Sequence, residues 1–394
     1  MPNSILRTIE FKLYPTVTQK ETLNRWLGSC CWLYNQALEM RIKAYRRRGE
    51  SVSRYDQQKW LVGLRQRIPN IAGLPSTFAR GALYRIDRAF QAFFRRCKEG
   101  ANKPGFPRFR ARRRYQSLEY LEPGMYILPG SVRVPCLDKI KARGRFDLPG
   151  TQKLLRIVHR VSGWYAQIVL DQDKCPAPIE PQTAVGIDVG LESFATLSTG
   201  EKIANPRLLR RSEQHLNRLQ RRVSRCQRQS RNRRKRVTQL ARQHERITAQ
   251  RKDFAHQESR KLVNRFDFLA FEKLNIKGMV HSNLAKSIFD AAWGLFLFCV
   301  TYKAAYAGKA TDAGNPCGTS QECPDCGAIK AKSLSERIHA CNCGCILDRD
   351  EAAARVILAC AWGGSSRVNT AEELASTTGP PRRQASPMKQ EVHI

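Results

Sequence analysis

Acidic residues are scarce in this chain. Only 34 Asp and Glu stand against 69 Lys and Arg in 394 residues, a formal charge of +35. That imbalance leaves little room for a cationic partner and points to a polyanion, with nucleic acid the first candidate. Long apolar runs are also missing. None approaches the roughly 20 residues needed to cross a bilayer, so no membrane association is expected. The opening segment MPNSILRTIEFKLYP has neither the apolar stretch nor the cleavage site of a secretory signal, so the expected location is the cytoplasm, beside nucleoid DNA when bound to it. Aromatic residues reach only 8%, yet a hydrophobic content of 42% is enough to bury real cores, so two or three compact units are expected rather than a disordered basic tail. Cysteines number 14, and six of them crowd between Cys317 and Cys345. In a reducing compartment that crowding reads as metal ligation rather than as disulfides.

Alternation over Ile5 to Tyr14 reads as a strand ended by Pro15, and helical spacing follows from Thr16 to Tyr45 through Leu23, Trp26, Leu27, Cys31, Leu33 and Leu38. A second helical pattern covers Leu83 to Arg96, so a small basic helical bundle is expected. In KPGFPRFRARRR, Lys103 to Arg114, the prolines and Gly105 forbid a regular helix. Its arginines alternate with Phe106 and Phe109, which suits phosphates and stacked bases; a solvated linker is the alternative. Short apolar runs from about Tyr120 to Leu170 read as a β-barrel or meander, and PAPIEP, Pro176 to Pro181, as a domain linker.

Beyond it, TAVGIDVGLESFATLSTGEKI reads as two strands joined around Gly190. Between Arg207 and Lys261, 19 Lys and Arg face four acids, on two helices with a break at RQSRNRRKR. A solvated helix face normally mixes charges for i,i+4 pairs, so this hairpin reads as phosphate-binding, with Arg221, Arg222, Arg233 and Arg234 as candidate contacts. FDFLAFEKL reads as a buried strand, and a long apolar helix is expected from about Leu284 to Gly308. The polar segment beyond Gly363 is expected to be disordered.

Three acids stand where apolar segments would not choose a charge: Asp188 in AVGIDVG, Glu272 after FLAF, and Asp350 at the start of DEAAARVIL. Isolated carboxylates in buried strands cost several kcal/mol unless paired or bound to a cation. Converging carboxylates can hold two hard cations about 4 Å apart for phosphodiester hydrolysis. Each also has a plainer reading: a turn for Asp188, a lysine partner for Glu272, a helix-dipole charge for Asp350. The second constellation is CPDCG with Cys323 and Cys326, then HACNCGCILDRD with Cys341, Cys343 and Cys345. A C-x₂-C knuckle, a gap of 14 residues and a second cysteine cluster have zinc-ribbon spacing. The preferred ligands are Cys323, Cys326, Cys341 and Cys343. The shortened second half leaves Cys345 as an alternative.

The order of GIDVG, FEKLNIKGM, SIFDAAWGLF, TSQECPDCG and DRDEAAARVIL resembles TnpB, the nuclease of bacterial insertion sequences and a relative of type V CRISPR effectors. FKLYPTVTQ, the helix around CCWLYNQAL and KPGFPRFRARRR resemble that family's wedge and recognition regions. The resemblance implies a multi-domain α+β protein with an RNase H-like (RuvC) nuclease core carrying a zinc ribbon, and an N-terminal β-barrel wedge with a helical recognition insert. The implied division is wedge 1–14 and 101–180, recognition bundle 15–100, RuvC 181–312 and 346–362 with its basic hairpin 207–261, ribbon 313–345, and tail 363–394. It implies that Asp188, Glu272 and Asp350 bind Mg²⁺ in a two-metal site, that Zn²⁺ is structural, and that the partners are a guide RNA from the transposon end and double-stranded target DNA next to a short duplex motif. The family often has Asn where this chain has Ala352. A guided repressor without cleavage and a DNA transposase stay open as alternatives.

Overall fold

The computed structural model describes residues 5–172, 176–279, 281, 284–314, 319–332 and 336–363, so the tail expected to be disordered lies outside the described residues. The chain divides into two compact units, Met1–Lys174 and Cys175–Ile394.

The first unit opens with β1 (Ile5–Tyr14), which Pro15 ends, and α1 (Val17–Arg48). Thr16 and Gln19 form a capping box: the Thr16 hydroxyl accepts from the Gln19 N–H at 3.3 Å, and the Gln19 side-chain oxygen accepts from the Thr16 N–H at 3.0 Å. Helices α2 (Arg54–Arg67), α3 (Pro69–Ala72) and α4 (Ser76–Lys98) follow. The strands are β2 (Ser117–Tyr120), β3 (Ile127–Leu128), β4 (Ser131–Val134), β5 (Asp138–Arg143), β6 (Thr151–Arg160) and β7 (Gly163–Gln172). They form one antiparallel sheet in the order β2-β6-β7-β1-β5-β4-β3. No pairing joins its two ends among the described residues, so the ladder is open where a barrel was expected.

Helix α4 docks on β2 at Gly81, where a Cβ would stand 2.5 Å from the Glu119 carbonyl oxygen. The buried Glu119 carboxylate then gathers Arg85, Arg88 and Arg156. Arginines in the 103–114 segment also serve the fold. Arg96 Nη2 donates to the Gly105 carbonyl at 3.0 Å, Arg112 Nη2 donates to the Asn24 carbonyl at 2.7 Å, and Phe106 packs edge-on against Phe90 and Phe93. The segment is therefore pinned to the bundle and is not a free linker, while Arg108, Phe109, Arg113 and Arg114 stay exposed.

The second unit contains β8 (Ala184–Val189), β9 (Ser193–Leu197), β10 (Lys202–Ala204), α5 (Leu208–Ser224), α6 (Arg231–Arg265), β11 (Phe268–Glu272), α7 (Ile276–Met279), α8 (Ala285–Ala291), α9 (Trp293–Ala305), β12 (Ala310–Gly314), β13 (Ile338–Ala340), β14 (Ile346–Asp348) and α10 (Arg349–Gly363). Its main sheet runs β10-β9-β8-β11-β12. The first three strands are antiparallel, and β11 is parallel to both β8 and β12. Parallel neighbours need long crossovers, which α5 with α6, and α7 to α9, supply. Residues 176–181, read as a linker, include Ile179, whose N–H donates to the Gly308 carbonyl at 2.9 Å.

Two expected elements differ. The break between the basic helices lies at 225–230, and Arg231–Arg236 already belong to α6, because the Ser230 hydroxyl caps it by accepting from the Arg233 N–H at 3.1 Å. The single apolar helix from Leu284 to Gly308 is two helices, broken at Ala292 with φ 57°. The buried Asp290 just before the break accepts from the Leu209 N–H at 2.8 Å and from Arg251 Nη2 at 2.9 Å, so α8 is held by α5 and α6. Taken together by length and composition alone, Ala285–Ala305 would pass as long and apolar enough to cross a membrane, but it is broken at Ala292 and carries Lys286, Asp290 and Lys303. Most of it is buried in this unit, around Phe296, Val300 and Ala304.

Replacing Gly81 by Ala should push α4 off β2 and lower stability by about 1–3 kcal/mol, read as a lower midpoint in thermal unfolding. An unchanged midpoint would show that the Gly81 contact is slack.

Candidate functional site

Three segments meet at the C-terminal ends of two central strands of the second unit's sheet. Strands β8 and β11 run side by side and parallel, with Phe271 opposite Ile187, so the next residues, Glu272 and Asp188, leave the two strands together. Helix α10 lies against β8, β9 and β11. It approaches so closely that a Cβ on Gly186 would stand 1.9 Å from the Ala354 carbonyl oxygen. Asp188 points to the same sheet face as Gly186, two residues on, and Asp350 lies one helical turn before Ala354. The glycine contact thus puts Asp350 beside Asp188.

The electrostatics carry the mark of this convergence. Burial first, then the neighbouring carboxylates of Glu272 and Asp350, push the Asp188 carboxyl up to about 8, against the opposing pull of Arg349. Burial also raises Glu272, whose carboxylate accepts a hydrogen bond from the Thr319 hydroxyl. Neither Asp188 nor Glu272 has an ion pair among the described residues, so Glu272 is not paired with a lysine. Asp350 contacts Arg349 at 3.4 Å. The work of capping α10 falls to Asp348, whose Oδ1 accepts from the Asp350 N–H at 3.0 Å and whose Oδ2 meets Lys202 Nζ at 2.7 Å. Burial raises Asp348, but Lys202 and these N–H groups outweigh it and hold the carboxyl below its ordinary range. Asp348, Thr319, Lys202 and Gly186 did not stand out in the sequence. The DRD repeat of acids was the one signal for Asp348; Thr319 and Lys202 meet the carboxylates only through folding.

The donor oxygens do not form a closed cage. Among the described residues, the groups of three or more ligating side chains whose donor atoms all lie within 4.8 Å are both in the cysteine cluster between Cys323 and Cys345. One is Cys323, Cys326, Cys341 and Cys343; the other is Cys323, His339 and Cys345. In the first, Cys323 and Cys343 sulfurs are 3.7 Å apart and those of Cys326 and Cys341 3.5 Å. Tetrahedral zinc with Zn–S bonds of about 2.3 Å sets sulfurs about 3.8 Å apart, so the four thiols fit that ion. Strands β13 and β14 form the hairpin carrying the second cysteine pair, and β14 runs straight into α10.

The basic hairpin buries Leu216, Leu219 and Ile247. Arg221, Arg222 and Arg234 are exposed and Arg233 is half-buried, and none of the four enters an ion pair among the described residues.

Without a divalent cation, Asp188 holds a proton in the folded chain between its ordinary value of 3.8 and about 8, whereas the unfolded chain has lost it. Stability should therefore fall as pH rises through that window. In metal-free thermal unfolding at about pH 5 and about pH 8.5, Asp188→Asn should flatten this fall. An equal fall in wild type and variant would show that Asp188 is not the group responsible.

Three family models match the chain: "Probable transposase" over residues 167–283, "Cas12f1-like, TNB domain" over 293–357, and "Helix-turn-helix domain" over 1–50. A Streptomyces pristinaespiralis protein named "Putative RNA-guided DNA endonuclease" is 32% identical, covering 93% of this chain and 92% of its own. An Escherichia coli (strain K12) protein of the same name, InsQ, is 25% identical over 86% of this chain and 87% of its own. Shorter matches, 31% identical over 126 residues, are TnpB-like proteins of Acanthamoeba polyphaga mimivirus. The fold is similar to the protein in the cryo-EM structure of the Cas12f1-sgRNA-target DNA complex, with a TM-score of 0.59 and 12% identity, covering 90% of this chain and 99% of that one. The 32% identity to the Streptomyces protein over 93% of this chain, together with the matched segments 1–50, 167–283 and 293–357, shows that this chain belongs to the TnpB family of RNA-guided DNA endonucleases.

Proposed function

We propose that this protein is an RNA-guided DNA endonuclease whose catalytic residues are Asp188, Glu272 and Asp350. The observation that carries the reading is their meeting, two of them half-buried and without an ion pair among the described residues, at the ends of β8 and β11 and the start of α10. Such a set of hard oxygens, mutually repelling, suits Mg²⁺. Bound there, two such ions supply an activated water and stabilise the leaving oxygen of a phosphodiester. The protein's part is to keep the carboxylates together: β8 and β11 set Asp188 and Glu272 side by side, Gly186 lets α10 bring Asp350, and Thr319 and Lys202 orient Glu272 and Asp348. The strand order β10-β9-β8-β11-β12, antiparallel then parallel, supports an RNase H-like (RuvC) core over 181–312 and 346–362.

Cys323, Cys326, Cys341 and Cys343 hold the structural Zn²⁺ of a ribbon at 313–345, next to that core. The first unit supplies the wedge, 1–14 and 101–180, and the recognition bundle, 15–100. The partners are a guide RNA from the transposon end, which selects the target by pairing, and double-stranded DNA carrying a short adjacent motif. The arginines of the basic hairpin, Arg221, Arg222 and Arg234, which are exposed, and the half-buried Arg233, hold RNA phosphates. The place of action is the cytoplasm, on nucleoid DNA. Retention of all three acids favours cleavage over a guided repressor.

Expressed with its flanking transposon-end DNA, the protein should copurify with a defined RNA and cut a matching plasmid only with Mg²⁺. Asp188→Ala should lower cutting on the order of a thousand-fold or more while guided binding persists. Guided binding without cutting in wild type would leave the repressor; joining of transposon ends would identify a transposase; absence of bound RNA would remove the reading. Charge reversal at Arg233 and Arg234 should weaken RNA binding and flatten its log–log salt dependence by roughly 0.7–0.9 per lost phosphate contact. An unchanged slope would give the hairpin a purely structural role.

A further inference from the structure

The turn between β8 and β9 and the entry to α5 border an open cavity of about 420 Å³, whose lining includes Leu191, Glu192, Arg207, Arg210, Ser287 and Asp290. Its first wall residue, Leu191, follows Asp188 by three positions in the chain. Asn205 ties the two rims together: its Nδ2 donates to the Leu191 carbonyl at 2.9 Å, and its Oδ1 accepts from the Arg207 N–H at 3.1 Å. Arg207 is held there at φ 45° and ψ 49°, the left-handed region that a residue with a Cβ rarely adopts. Such a conformation persists only where the surroundings impose it, and it concentrates at ligand sites.

The charges around the cavity do not cancel. Glu192 pairs with Arg337 at 3.1 Å. Both Asp290 oxygens are engaged: Oδ1 accepts from the Leu209 N–H and from Arg251, and Oδ2 accepts from the Arg210 N–H at 3.3 Å. The side chains of Arg207 and Arg210 are exposed and make no hydrogen bond or ion pair among the described residues. With both acids occupied, two guanidinium groups remain for an anion. The position of the cavity says which anion. The Lys202 ammonium is raised first by its hydrogen bond to Asp348, then by the charges of Asp350 and Glu192, so the cavity rim and the acids of the site surround one lysine. Arg337, the partner of Glu192, also accepts at its carbonyl from the Arg349 N–H at 2.8 Å, one residue before Asp350.

We propose that Arg207 and Arg210 seat a phosphate of the DNA strand being cut, close to the phosphate presented to Asp188, Glu272 and Asp350, and so position that strand for hydrolysis. This rests on the nuclease reading given above and names where its substrate strand lies. Guanidinium forks fix the place of a phosphate as well as balancing its charge. Guide pairing leaves a flexible single strand, and a phosphate held at one point stops that strand from sliding past the acids.

The test uses the full chain with its guide RNA, a matching DNA target and Mg²⁺, in single-turnover cutting and in guided binding. Arg207→Gly removes one guanidinium while easing the left-handed backbone, and Arg210→Gln removes the other from an exposed helix position. Each should slow cutting on the order of ten-fold with guided binding unchanged, and Arg210→Lys should recover part of the rate. Targets are also made with a neutral methylphosphonate at one phosphate at a time, the scissile one excepted. One position near the cut should slow wild type by a similar factor and add nothing in the double variant, Arg207→Gly with Arg210→Gln. Unchanged cutting in both single variants overturns the seat. Weakened guided binding that accounts for the whole loss overturns it too, as does a methylphosphonate profile that is the same in wild type and double variant. Wild type that binds its target without cutting removes the nuclease reading itself, and this inference with it.

Discussion

At Gly186 the place of a side chain is taken by the carbonyl oxygen of Ala354, 1.9 Å from where a Cβ would stand. Backbone packed on backbone at that range admits no residue but glycine at this position, and it sets how far along and how close to β8 the helix α10 runs. Because Asp188 follows Gly186 by two residues and Asp350 precedes Ala354 by one turn, the same contact brings two carboxyl groups together. The helix contributes to the closeness, since Ala352, Ala353 and Ala354 are all buried and small. Ala352 belongs to that packing; its methyl group supplies no hydrogen bond to the neighbouring acids.

Like charges held together destabilise the chain that holds them, and the surroundings show how the cost is contained. Asp188 is pushed up to about 8 by burial and by its neighbours. The ribbon is part of the containment. Thr319, at its entry, donates to Glu272, and β14 delivers Asp348 to cap α10 while Lys202 of β10 pairs with it. Cysteine geometry and carboxylate geometry are thereby joined through one short strand, and the order of the ribbon bears directly on the order of the acids. A comparable constraint acts on the basic hairpin, whose α5 N-terminus and Arg251 are both held by the buried Asp290 of α8.

Much of this was legible from residues alone. The strand Ile5–Tyr14, the helix beginning after Thr16, the paired strands around Gly190 and the buried strand of FLAFE all appear, because each has an uninterrupted period and a clear stop signal. The break at Ala292 was not legible, whereas the break between the basic helices, expected at RQSRNRRKR, lies a few residues earlier, at 225–230. No local signal opposes a continuous helix at Ala292; the opposition comes from Asp290 bonded to groups about 40 and 80 residues away. Nor does alternation reveal whether a ladder closes: the seven-stranded order ends at β2 and β3 without pairing.

By itself the sequence determined the chemistry available: a large positive charge, three acids in apolar settings, and cysteines at metal-binding spacing. These are properties of composition and short-range pattern, which a linear chain carries openly. Tertiary structure alone decided which acids meet, that Asp348 caps while Asp350 faces Asp188, that Thr319 serves Glu272, and that His339 joins Cys345 beside Cys323. The physical reason is that each of these contacts depends on close backbone packing between segments far apart in the chain, and spacing along the chain does not encode distance across it.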